Sequence, residues 1–351
     1  MQLKYSLPSG NSVFSCCTSL EIPLLKSFNI KIRNMEKDYV VGVDIGGQTT
    51  KIGIVDRKGN IITQTVIGSK YKFGEAGLFI QSVCDTIRDL AKEVGMENIQ
   101  GIGIGAPNGN YYHGTIEDAA NLEWAKGIRV ELAKEVSLAL DNLPVTVTND
   151  ANAAAVGEMM YGAARGMKNF IMITLGTGVG SGIIINGELV YGHDGFAGEL
   201  GHVTAVRHNG RPCGCGKKGC LETYCSAMGV ARTAGEWLEL SDEPSLLREV
   251  DNITSKDVFE AAQKGDALAL RIFEFTGKKL GESFADFVAF SAPEAIIVFG
   301  GLARAGEFIF KPIREAMEAN MVSIWKGKVK LLPSALKESD AAILGASALA
   351  W

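Results

Sequence analysis

Proline is scarce in this chain of 351 residues, nine in all, against 42 glycines. That balance suits strands joined by tight turns that expose the backbone, and no long linker or low-complexity tract is seen. Long hydrophobic runs are also missing. None reaches 18 residues, so no transmembrane helix is expected. Basic charge is in deficit: 35 Lys and Arg against 40 Asp and Glu leave a net charge of −5 and a pI of about 5.6. That disfavours nucleic acid as the main partner, because binding its backbone needs a basic face. Cysteines number seven, an odd count, and Cys16, Cys17, Cys84 and Cys225 show no framework spacing. A disulfide scaffold is therefore not expected, and a reducing cytoplasm is.

At 46% hydrophobic and 21% charged residues, the composition is that of a globular protein, and the length suits two domains. Residues 1–34 lack the unbroken apolar stretch of a signal peptide. Met35 is expected to be the natural start, with residues 1–34 an upstream extension. Strands and helices alternate from there, which argues for an α/β fold with mixed sheets. Residues 39–43 read as a strand, followed by a glycine turn, a strand from 51 to 55 and a strand near 61–66. Residues 170–191 repeat the scheme about 130 residues later, with Asn186-Gly187 as a hairpin turn. A duplicated domain follows, with one phosphate-facing turn in each half. Helices are expected at 77–95, 130–140 and 151–166, and strands at 99–105, 145–148, 295–299 and 329–332. A closing helix is expected at 339–350, with Ser339 as its N-cap and Ala342, Gly345 and Ala346 as a small, closely packed face.

Residues 196–222 are the most informative stretch. Cys213, Cys215 and Cys220 lie within eight residues, with His202 upstream. One His and three Cys are a complete tetrahedral set for zinc, and with no open position the metal would be structural. Unlinked loop cysteines are the alternative. Glu199 and Glu222 flank the knot. Such carboxylates grip vicinal sugar hydroxyls, although Glu222 also suits the first turn of a helix.

The two glycine turns carry the phosphate chemistry. Asp44, Gly46, Gly47, Gln48, Thr49 and Lys51 join a strand to a strand, so they form neither a Walker loop nor a Rossmann fingerprint. An acid at a strand end can hold hydrated Mg²⁺, and exposed amides approach an anion. A plain hairpin is the other reading. Gly176, Thr177 and Gly178 form the second turn, where Thr177 and Ser181 offer hydroxyls. Asn149-Asp150 ends a strand and opens a helix. Asp150 is either an N-cap or a general base that takes a proton from a substrate hydroxyl during in-line phosphoryl transfer. Gly300-Gly301 is either a tight turn or a flat surface for a base.

These motifs together resemble the ROK family of sugar kinases and sugar-responsive repressors, over about residues 38–350. The resemblance implies an actin-like ATPase (ribonuclease H-like) fold, with two domains around a hinged cleft. The smaller would be 35–149 plus 338–351 and the larger 150–337, with hinges near 149 and 337. It implies Asp150 as catalytic base for the 6-hydroxyl of a hexose. The sugar ligands would be Pro107, Asn108, Gly109, Asn121, Asn149, Glu199, His202 and Glu222. Asp44, Gly46, Gly47, Gln48, Thr49, Lys51, Gly176, Thr177, Gly178, Gly300 and Gly301 would bind nucleotide. ATP, Mg²⁺ and a structural Zn²⁺ on His202, Cys213, Cys215 and Cys220 are implied, as is a homodimer or higher oligomer with no membrane or nucleic-acid partner. Glucose is the first substrate expected. Another hexose or N-acetylhexosamine is the alternative, followed by a sensor of the repressor type. Gln48 departs from the family's usual Thr, and Asn108 from its usual Gly.

Overall fold

A computed structural model describes residues 37–351. The expectations for residues 1–34 and for Met35, together with Cys16 and Cys17, lie outside the described residues. The first half begins with β1 (Tyr39–Ile45), β2 (Thr49–Asp56) and β3 (Ile61–Gly68). Then come α1 (Ala76–Ala91), β4 (Ile99–Gly105), β5 (Gly109–Asn110), β6 (Thr115–Glu117), β7 (Arg129–Val130), α2 (Leu132–Ala139) and β8 (Val145–Thr148). The second half opens with α3 (Asp150–Tyr161), β9 (Phe170–Leu175), β10 (Val179–Ile185) and β11 (Glu188–Leu189). It continues through α4 (Glu222–Cys225), α5 (Ala227–Leu240), α6 (Ser255–Gln263), α7 (Ala267–Ser291), β12 (Ala295–Phe299), α8 (Glu307–Asn320), β13 (Lys330–Pro333) and α9 (Glu338–Ala348).

The expected duplication is visible as topology. One five-stranded sheet runs β3-β2-β1-β4-β8 and the other β11-β10-β9-β12-β13. In each, the first three strands are antiparallel neighbours, and the last two join parallel to the central strand. β1 and β9 sit at the centre and are buried almost throughout, hence their continuous apolar runs. β3 is at an edge and alternates half-buried with exposed residues.

Each sheet has its own core. The first is sealed by α1 and α2, with Phe79 stacked on Trp124 at 4.4 Å. The second is covered by α5 to α8. Between the sheets run α3 and α9. A methyl group on Gly157 of α3 would stand 2.7 Å from the Cα of Gly345 in α9, so only glycine allows this backbone contact. That is the close packing the small face of α9 predicts. Ile343 and Leu344 of α9 join Val40 and Val55 of the first sheet, whereas Ala155 of α3 joins Phe170, Met172 and Ile297 of the second.

Several boundaries differ from the sequence reading by a few residues, among them the end of α1 at Ala91 in place of residue 95, and three of them have a local cause. α2 starts at Leu132 because Val130 pairs with Ile116 in a small three-stranded sheet. α3 stops at Tyr161: the Glu158 carboxylate turns back to accept the Ala163 N–H at 2.6 Å, ending the ladder. The N-cap of α9 is Lys337, not Ser339, whose hydroxyl bonds Asp340 at 2.7 Å. No helix among the described residues is long and apolar enough to cross a membrane.

Candidate active site and metal centre

Two carboxylates meet where the halves face each other. Asp44 is near the end of β1 and Asp150 opens α3. Both line a cavity of about 200 Å³ shared with Ala151, Glu158, Thr174, Phe299 and Leu336. The N-cap is Asn149, whose side chain accepts the Ala151 N–H at 2.8 Å. Asp150 shares that same amide at 2.8 Å while its surface stays open to the cleft. Although Asp150 is exposed to the cleft, the protein packed around its carboxyl desolvates it and raises it above its ordinary range, with the backbone amides opposing. Asp44 is pushed up to about 6, first by burial and then by the Asp150 charge, with Lys51 pulling the other way. Lys51 stands directly opposite Asp44 in the β1–β2 register.

The first glycine turn joins β1 to β2. Gly46 spends its N–H on the Thr49 carbonyl at 3.0 Å, so it closes the turn instead of facing an anion. Gln48 and Thr49 are exposed at its tip. Asn121 packs against Gly47, where an added Cβ would lie 3.0 Å from the Asn121 carbonyl. Asn121 therefore stands at this turn.

The second turn, between β9 and β10, is braced twice. The Gly176 N–H bonds the Gly178 carbonyl at 3.1 Å, and the Gly176 carbonyl takes the Ala227 N–H at 2.9 Å. Glu222 lies against it, accepting the Val179 N–H at 3.1 Å, and a side chain on Gly178 would collide with that carboxylate. Thr177 is exposed at the tip, but Ser181 is not available to phosphate. Strand alternation turns Ser181 inward, where its hydroxyl donates to the Gly198 carbonyl and accepts the Leu200 N–H at 3.2 Å. Gly300, with φ of +106°, ends β12 against the Leu175 carbonyl. Beside it, a cavity of about 450 Å³ is lined by Gly300, Ala303, Arg304, Pro333 and Lys337.

The residues expected to face a sugar come from both halves. Asn108 has φ of +52°, the left-handed conformation that Asn tolerates better than most side chains. Its amide donates to the Glu117 and Asp118 carbonyls at 3.0 Å each. Asn108 thus occupies a backbone conformation open to both Gly and Asn, and its amide ties the loop between Pro107 and Gly109 to residues 117–118. Gly109 is buried against the Thr148 carbonyl. Glu199 is raised by burial, lowered by His202 and raised again by Asp150 and Glu222, so these four groups share one field.

His202, Cys213, Cys215 and Cys220 converge as the spacing predicts, with donor atoms within 4.8 Å of one another. His202 Nδ1 is 3.6 Å from Cys213 Sγ, and Cys215 Sγ is 3.7 Å from Cys220 Sγ. Four ligands around a tetrahedral zinc with Zn–S of about 2.3 Å place neighbouring sulfurs roughly 3.8 Å apart, so the cluster fits the ion. With Nδ1 in the cluster, Nε2 of His202 turns towards Glu199 Oε2 at 3.9 Å.

Sequence reasoning missed the residue that carries the knot. Arg211 is buried, and its guanidinium bonds Thr223 O at 2.8 Å, Thr233 Oγ1 at 2.9 Å and Glu236 Oε2. It also lies over the Tyr224 ring at 4.5 Å. Its position two residues before Cys213 was the available signal. Glu158 and Thr174 were missed as well. They carry no motif and reach the cleft only because α3 and β9 point them there.

The sequence model of the ROK family matches residues 40–351. The chain belongs to the ROK family. A ROK relative described as glucokinase, from Halalkalibacterium halodurans, is 39% identical over 297 residues, covering 81% of this chain and 87% of that one. A relative described as xylose repressor, from Caldicellulosiruptor bescii, is 29% identical over 90% of this chain and 79% of its own length. Among solved ROK structures, a glucokinase from Streptomyces griseus in complex with glucose and AMPPNP superposes with a TM-score of 0.72. It is 33% identical, covering 89% of this chain and 98% of that one. The fold is therefore the two-domain, actin-like ATPase architecture of ROK proteins, an α/β fold with mixed sheets.

Proposed function

We propose that this protein is an ATP-dependent hexose kinase that transfers the γ-phosphoryl group to the 6-hydroxyl of a sugar, glucose first. The carrying observation is the position of Asp150. It opens α3 in a cavity shared with Asp44 and within the field of Glu199. The relatives described as glucokinase support the same reading.

Pro107, Asn108 and Gly109 from one side, and Asn149, Glu199, His202 and Glu222 from the other, hold the sugar. Nucleotide lies across the two glycine turns, with Asn121 beside the first and the base near Gly300-Gly301. Asp150 accepts the hydroxyl proton as the phosphoryl group arrives in line. Asp44, a hard oxygen donor whose charge Lys51 partly offsets, would hold Mg²⁺, which when bound neutralises charge on the phosphoryl oxygens. His202, Cys213, Cys215 and Cys220 would hold a structural zinc, which would stiffen the sugar wall.

The lobes divide at 35–149 plus 338–351 and 150–337. α9 joins the core of the first sheet and α3 that of the second, and hinges near 149 and 337 let the lobes close and exclude water. The thiolate ligands suit a reducing cytoplasm. We propose a homodimer through the face behind the sugar wall. There Phe290, 81% exposed, adjoins a hollow floored by Leu200 and Val203. Knob and hollow on one patch are what a two-fold interface needs. Light scattering tests this, and a monomer at all concentrations would sink it.

A coupled ADP-release assay with Mg·ATP against hexoses and N-acetylhexosamines tests the function. Turnover of glucose, abolished by Asp150→Asn, is the expected result. Turnover of another sugar alone corrects the substrate. Sugar binding without turnover of any sugar favours a sensor instead, in line with the relatives described as xylose repressor.

A further inference from the structure

The four candidate metal ligands stand on two different supports. His202 and Cys220 adjoin paired backbone. The Leu221 N–H bonds the Val203 carbonyl at 2.9 Å, the Ala205 N–H bonds the Gly219 carbonyl at 2.9 Å, and Thr204 pairs with Cys220. Cys213 and Cys215 stand on a tip. Residues 212–218 are exposed apart from the half-buried Cys213, so the tip has no core of its own. It is a tight hairpin, with Pro212 paired to Lys218 and the Cys213 N–H on the Lys217 carbonyl at 2.9 Å. Its base is Arg211 and Gly219, both buried, where the Arg211 carbonyl accepts the Gly219 N–H at 2.8 Å. Two thiols on an exposed hairpin are placed only as firmly as that base is placed.

Arg211 fixes the base with every donor it has. Nη1 donates to the Thr223 carbonyl at 2.8 Å and to the Gly229 carbonyl at 3.3 Å. Nη2 donates to Thr233 Oγ1 at 2.9 Å and to Glu236 Oε2, which also accepts from Nε at 3.1 Å. These bonds use all five N–H groups of the guanidinium. The backbone N–H of Arg211 goes to the Tyr224 hydroxyl at 2.8 Å. The partners lie on α4 and α5, and both helices brace the second glycine turn. Thr223 follows Glu222, whose carboxylate accepts the Val179 N–H. Gly229 gives its N–H to the hydroxyl of Ser226, the N-cap of α5, at 3.0 Å, and the next residue, Ala227, donates to the Gly176 carbonyl at 2.9 Å. The metal hairpin and the glycine turn are thus tied to one buried cation.

We propose that Arg211 is a positioning residue for both. It holds Cys213 and Cys215 where a metal can collect them, and it holds α4 and α5 so that the second glycine turn keeps its shape. It acts through the backbone on either side of it and is not itself a ligand. The planar fork is essential, because an ammonium cannot reach carbonyl, hydroxyl and carboxylate partners in these directions at once. What the turn does for a nucleotide rests on the kinase reading, whereas the hold on the hairpin and on the turn does not.

The test is Arg211→Lys, which keeps the positive charge and loses the fork. Zinc-loaded wild type and variant are mixed with a chromogenic chelator well below the unfolding temperature, and metal release is followed by absorbance. Release is expected to be about 10-fold faster from Arg211→Lys. Hydrogen exchange, which needs neither metal nor turnover, should quicken in residues 211–220 and also in 176–180 and 227–230. Mg·ATP KM should rise about 3–10-fold. Met317→Ala, at a buried position of α8 outside this network, is the control and should lower Tm without hastening metal release. Wild-type release from Arg211→Lys would overturn the hold on the hairpin. Faster exchange confined to 211–220 would overturn the link to the glycine turn, and equally fast release from Met317→Ala would reduce the effect to lost stability. Faster exchange in both segments with no turnover of any sugar by the wild type would count against the kinase reading and leave this one standing. If Arg211→Lys does not fold, Glu236→Gln decides. The Glu236 side chain is 40% exposed, so the change opens no core, and wild-type metal release together with unchanged exchange in 176–180 refutes the proposal.

Discussion

Glu222 accepts the Val179 N–H on Oε2 at 3.1 Å and faces Cys213 Sγ with Oε1 at 3.6 Å. One carboxylate thus ties the second glycine turn to the metal knot, and both to the field around Glu199. Removing it should disturb the nucleotide side and the sugar side together. Glu222→Ala is expected to raise KM for both sugar and Mg·ATP by about 10-fold, the scale of one lost charge-assisted hydrogen bond. Steady-state kinetics with each substrate varied in turn checks this. A rise for sugar alone would mean that the Val179 bond contributes nothing to the turn.

The metal knot makes a separate prediction. Cys215 is the exposed member of the set, so serine there removes one thiolate without opening the core. Cys215→Ser is expected to lose zinc, measured by elemental analysis of the purified protein, and to raise sugar KM more than it lowers kcat. The wall carrying Glu199 and His202 loosens while Asp150 stays on α3. Removing the metal from the wild type with a chelator should reproduce the same KM change, and readdition of zinc should reverse it. Full metal occupancy in Cys215→Ser would count against the ligand assignment.

Asp150→Asn preserves the shape of the side chain and its acceptor for the Ala151 N–H, but it cannot take a proton. The variant should fold, bind sugar with near-normal affinity by calorimetry and lose at least about 10² in kcat. Near-normal turnover would remove Asp150 from the role of base, leaving it a second helix-capping group beside Asn149.

Much of this arrangement was legible in the sequence because it is written in short-range patterns. The strands β4, β8 and β12 read correctly to the residue, since their apolar runs end in glycine or polar stops. The knot was legible because its four candidate ligands fall within a single segment, and the duplication because its two copies keep the same order of strand and turn. What stayed hidden depends on distance in the chain. Ser181 read as a phosphate hydroxyl until β10 turned it towards Gly198. Arg211 carries the knot through partners on α5, and Tyr111 meets Tyr191 from 80 residues away. Ser339 had the right chemistry for a cap, but α9 begins one residue earlier, at Glu338.

Asp44 gives the pH dependence. Its carboxyl is pushed from 3.8 to about 6, by burial first and by Asp150 second. Between those values the folded protein keeps a proton that the unfolded chain has released. Stability therefore falls as pH rises through this window, and the full penalty is present above about pH 6. Asp44→Asn removes the penalty. The variant should be more stable than the wild type at pH 8 by roughly 1–3 kcal/mol, and the difference should shrink to nothing below about pH 4. Thermal unfolding of both proteins between pH 4 and pH 8 checks this, and a constant gap in Tm across that range would refute it. Activity should move the opposite way. Wild-type turnover should decline below about pH 6 as Asp44 takes up its proton and loses its hold on a cation, while Asp44→Asn should be inactive at every pH. The residue that weakens the fold at neutral pH is then the one the site needs charged, which ties the loss of stability directly to function.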